Sequence, residues 1–133
     1  MRWRFILYNL YLRMSYELKQ DGKFKFIEEG NGEPLMLLHG LFGALSNFQF
    51  LIEHFKKTNK VVVPLLPLLD LDLLHTSVGG LQKFVHKFIE HRNLENIHLL
   101  GNSLGGHVAL VHILKHPERI KSLILTGSSG LFE

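Results

Sequence analysis

The amino-acid sequence predicts an α/β protein: a mostly parallel sheet with helices on both faces. Three observations carry this. Strand-like and helix-like segments alternate along the chain after Met14. Four short apolar runs, 35–38, 61–65, 97–100 and 120–125, read as strands, the first a continuous run as expected of a strand buried on both faces. Between them lie segments whose apolar residues recur at helical spacing.

Taken in order, residues 16–20 and 24–28 read as two antiparallel strands around a turn at Asp21-Gly22. Asn31-Gly32 marks the next turn, and Leu35 to Leu38 is the first buried strand. Phe48, Leu51, Ile52 and Phe55 share one face of a helix over 46–56, with Ser46 placed to cap it. Val61 to Leu65 is the second buried strand, closed by Pro64 and Pro67. Leu81, Phe84, Val85, Phe88 and Ile89 mark a further amphipathic helix. Ile97 to Leu100 is a third apolar strand, and it runs into a glycine-serine turn. A helix continues over 108–115 until Pro117 stops it, and a fourth strand spans 120–125 before the loop 126–130.

A chain of 133 residues, 46% hydrophobic and 20% charged, fits one globular domain. It contains no cysteine, which excludes disulfides, thiolate metal sites and cysteine nucleophiles. The net charge of +3 resides in residues 1–13, where Arg2, Arg4 and Arg13 meet no acid. Beyond them 12 Lys and Arg balance 12 Asp and Glu, so the sequence supports no nucleic-acid partner. Residues 1–13 are expected to be a leader or extension outside the fold, with Met14 as the start and 14–133 as the domain. No run approaches the roughly 18 apolar residues of a transmembrane helix. The expectation is a cytoplasmic protein with no membrane partner.

Residues 99–107 read LLGNSLGGH. Within them Gly101-Asn102-Ser103-Leu104-Gly105 matches G-x-S-x-G between a strand and a helix. Such a turn holds the serine in a strained conformation above the sheet, while the flanking glycines supply clearance. The helix behind it aims its N–H groups and positive end at the same point. A second element, LLHGLFG over 37–43, ends the first buried strand. With these two elements in this order the chain resembles the α/β-hydrolase fold superfamily, serine hydrolase branch, over its N-terminal portion from about Tyr16 onward. The resemblance implies that Ser103 is the catalytic nucleophile and that the N–H groups of Leu41 and Leu104 form the oxyanion hole. It makes His39 and Gly40, with Gly101 and Gly105, structural parts of the loop and elbow. One departure is PLLPLLDLDLLH over 64–75, with leucines where many relatives carry glycines. Its Asp70 and Asp72 precede the serine, the wrong order for a triad acid in this superfamily.

A serine hydroxyl needs a positioned base, which a third group must orient. After Ser103 come His107, His112, His116, Glu118 and Glu133. The three histidines follow the serine along its own helix, whereas the resemblance asks for a histidine from a distant loop. His107 is nearest and is expected to pack or face solvent rather than act as the base. His112 and His116 have the i, i+4 spacing zinc can use, but no third ligand or H-E-x-x-H accompanies them. A solvated helix face is therefore expected there, with no metal and no cofactor. His54, His75, His86, His91 and His98 are scattered and suggest no site. Nucleotide binding lacks both G-x-x-x-x-G-K-[ST] and G-x-G-x-x-G.

The expected function is hydrolysis of an ester, thioester or related acyl bond in a small-molecule substrate. As given, the chain lacks a credible acid and histidine and is expected to be inactive by itself. The alternative is a non-catalytic protein that uses the partial fold as an interaction module. It would form an oligomer through the open sheet edge left by the last strand.

Overall fold

A computed structural model describes residues 16–40, 44–68 and 77–128. The leader, Leu41, Asp70, Asp72, His75 and Glu133 lie outside the described residues. The elements run β1 (Lys19–Asp21), β2 (Phe24–Glu29), β3 (Pro34–Leu38), α1 (Ala44–Phe55), β4 (Lys60–Pro64), α2 (Val78–His91), β5 (Ile97–Asn102), α3 (Leu104–Lys115) and β6 (Ile120–Thr126), with a 3₁₀ turn at Pro117–Arg119 before β6.

Among the described residues the strands form one sheet in the order β1-β2-β4-β3-β5-β6. β4, β3, β5 and β6 are parallel, and β2 joins the side of β4 antiparallel, with β1 antiparallel beyond it. The predicted class therefore holds: a parallel core with an antiparallel hairpin at one side. The hairpin turns over Gly22 and Lys23, one residue later than expected, because Asp21 still pairs with Phe24 and Gly22 takes the positive φ of 60°. Ser46 does not cap α1 but lies inside it, since that helix already begins at Ala44.

The burial of β3 and β4 on both faces follows from side-chain alternation. Met36, Leu38 and Val62 point into one core with Leu81, Val85, Phe88 and Ile89 of α2 and Val108 and Ala109 of α3. Leu35, Leu37, Val61 and Val63 point into the other, with Phe48 and Ile52 of α1. Helices thus cover both faces. The hairpin is tied to the end of α2 by Arg92, whose guanidinium reaches Asp21 at 3.0 Å and Glu28 at 3.0 Å. The same guanidinium lies over the Phe26 ring, 4.7 Å from its centroid. β6 ends the described sheet; its Ile124 side chain is exposed. Among the described residues no helix is long and apolar enough to cross a membrane.

Candidate active site

Ser103 occupies the single residue between β5 and α3, with φ 55° and ψ −120°. A non-glycine residue pays for this backbone region in strain, and it persists only where its surroundings impose it. They do so here on three sides. The Ser103 N–H donates to the Thr126 carbonyl at 3.0 Å, and the Ser103 carbonyl accepts from Gly106 N–H at 3.0 Å. The Asn102 amide donates to the same Thr126 carbonyl at 3.1 Å and to its hydroxyl at 2.9 Å. The last residue of β6 thus clasps the end of β5 and the turn that follows it. The motif gave no sign of this role for Asn102, because its middle positions accept many residues.

The glycines are required by close backbone approach. A Cβ on Gly105 would overlap the Leu38 carbonyl of β3, and one on Gly101 would overlap the Gly105 carbonyl. Gly106 faces Ser128, whose Oγ would stand 2.6 Å from an added Cβ. Gly40 lies against the serine itself: a Cβ there would be 3.1 Å from Ser103 Cβ and 3.4 Å from its Oγ. The residue two past β3 and the turn after β5 therefore meet at the Ser103 side chain. Ser103 is exposed, and its hydroxyl does not cap α3. The N–H of Leu104, first residue of that helix, has no intrahelical partner. Leu41, the other expected donor, lies outside the described residues.

His39 is buried beside this junction with both ring nitrogens engaged. Nδ1 lies 2.9 Å from the Gly40 carbonyl, and Nε2 accepts from Leu66 N–H at 3.0 Å. Because a carbonyl only accepts and an amide N–H only donates, the ring is neutral with its proton on Nδ1. Burial holds its pKa below the usual histidine value. His39 thus ties the loop after β3 to the loop after β4 and offers no free nitrogen to Ser103.

Among the described residues no histidine is hydrogen-bonded to the Ser103 hydroxyl. His107, partly exposed, touches the serine through its backbone N–H, 3.3 Å from the Ser103 carbonyl. His112 departs from expectation. It is buried, not solvated, because α2 packs over this part of α3 and sets the buried Gln82 amide 3.2 Å from its Nδ1. Burial, with His116 and His86 nearby, lowers its pKa to about 4. His86, which the sequence left unconnected, stacks on His116 with ring centroids 3.7 Å apart. Among the described residues no group of three or more His, Asp or Glu is arranged to hold a metal ion.

Comparison with known proteins matches residues 71–132 to a family described as alpha/beta hydrolase fold. The chain is similar to an alpha/beta hydrolase enzyme from the metagenome of sediments of the Mar Chica lagoon, Morocco. That structure is 49% identical, with a TM-score of 0.81 over 88% of this chain and 54% of the other. Lipase 1 of Psychrobacter immobilis is 30% identical over 89% of this chain and 39% of its own length. Monoacylglycerol lipase abhd6-B of Xenopus laevis is 29% identical over 90% of this chain, again 39% of its own length. The chain therefore spans about two fifths of the length of these curated relatives.

Proposed function

We propose, from the premise that this chain is an α/β-hydrolase-fold protein covering the N-terminal portion of that fold, that Ser103 is the nucleophile of a serine hydrolase. Its substrates are esters, thioesters or related acyl compounds. The observation that carries this reading is the backbone of Ser103: a strained, exposed serine at a strand-to-helix junction, its hydroxyl unused by the helix it precedes. The hydroxyl would attack the acyl carbon, and the developing negative charge would fall beside the N-terminus of α3. There the N–H of Leu104 would be one donor, and the resemblance assigns the second to Leu41, which lies outside the described residues. An imidazole base oriented by a carboxylate must take the hydroxyl proton and return it to the leaving group. Among the described residues no imidazole is hydrogen-bonded to that hydroxyl.

The relatives' names support hydrolysis in general; esters and acylglycerols enter as the first substrates to try. The test is labelling of the full-length protein with a fluorophosphonate, followed by peptide mapping. The label is expected on Ser103 and absent there in Ser103→Ala. A folded protein unlabelled at Ser103 overturns the assignment.

The exposed Ile124 on the terminal strand favours the second reading, association of copies through β6. Light scattering that gives a monomer at micromolar concentration removes it.

A further inference from the structure

The N-terminal ends of β3, β5 and β6 carry a serine-histidine-carboxylate arrangement away from Ser103. Its histidine, His98, lies five positions before Ser103 along β5, roughly 16 Å at strand rise. His98 of β5 pairs with Ser122 of β6 in the parallel register, and β3 is the other neighbour of β5. Nε2 of His98 lies 2.9 Å from Oε2 of Glu33, the residue just before β3. Nδ1 of the same ring lies 2.7 Å from Oγ of Ser122. A carboxylate only accepts, so the neutral ring carries its proton on Nε2 and turns the Nδ1 lone pair to the Ser122 hydroxyl. Lys121 Nζ stands 2.7 Å from Oε1 and 3.0 Å from Oε2 of Glu33. Hydrogen bonds from Lys121 and then His98 hold that carboxyl below its usual pKa, so it is ionised at neutral pH.

Burial does not demand this alignment. The side chains of Glu33 and His98 are 47% and 27% exposed, so water could satisfy each of them separately. Three adjacent strands instead bring hydroxyl, imidazole and carboxylate into one line, with the order of partners a general-base relay needs.

We propose that Ser122 is a second acyl-accepting serine, with His98 as its base and Glu33 as the carboxylate that orients the ring. Its substrates are small activated acyl esters. Ser122 Oγ forms a bond to the acyl carbon, and the bond from that carbon to the leaving oxygen breaks. The hydroxyl proton passes to His98 Nδ1 and from there to the departing oxygen. The reaction assigned is one acyl transfer onto the serine, not turnover.

The test uses full-length protein carrying Ser103→Ala, so that acylation at the first serine cannot contribute. Treated with p-nitrophenyl acetate and mapped by mass spectrometry, it is expected to carry acetyl on Ser122. Adding His98→Gln should slow that acetylation by roughly a hundredfold. Glu33→Gln, at an exposed position, should slow it by roughly tenfold while thermal denaturation reports an intact fold. No acetyl on Ser122, or equal acetylation rates in a folded Glu33→Gln variant, overturns the proposal.

Discussion

Ser77 and Ser103 each stand at a helix N-terminus and behave oppositely. Ser77 has extended backbone, φ −99° and ψ 158°, and its hydroxyl accepts from Gly80 N–H at 3.0 Å, which is ordinary capping. Ser103 has positive φ and leaves its helix uncapped. A cap stabilises a helix, whereas the Ser103 geometry costs stability, so Ser103→Gly should raise unfolding free energy by about 1 kcal/mol. Chemical denaturation measures this. Gly105→Ala should do the reverse, losing more than about 2 kcal/mol as its Cβ meets the Leu38 carbonyl. His39→Ala should cost about 1–3 kcal/mol, because the buried Leu66 N–H then has no acceptor. All three positions were legible in the motifs. The partners were not, because Leu38, Leu66 and Thr126 are distant in sequence from the residues they meet.

At the scale of elements, helical spacing marked the core residues of α1 and α2, and their packing agrees with it. The histidine seam between α2 and α3 was illegible, since His86 gains meaning only when α2 lies beside α3. The seam gives a pH dependence whose sign follows from His112. An unfolded chain protonates this residue near pH 6.5, the folded protein only near 4. Its stabilising contribution is therefore complete above pH 6.5 and is lost as pH falls toward 4. Denaturation midpoints should decline over that interval. His112→Asn, which keeps a polar partner for Gln82, should flatten the decline. Equal slopes for the two proteins would refute this.

For the molecule as a whole, Arg92 connects elements far apart in sequence, α2 and the β1-β2 hairpin. Arg92→Ala should lower stability by about 1–2 kcal/mol, from lost charge-assisted hydrogen bonds and lost packing on Phe26. Hydrogen exchange should locate the loss, with the amides of β2 exchanging faster than those of β3.

The sequence by itself determined the α/β class, the buried strands and the glycine-serine turn. These follow from local periodicity and from backbone shapes that only particular residues adopt. Tertiary structure decided the strand order, and with it which side chains meet. β5 packs between β3 and β6, so Gly40 reaches Ser103 at one end of the sheet, and Glu33 and Ser122 reach His98 at the other. The reason is physical: contacts between strands depend on pairing and register, which no single segment encodes.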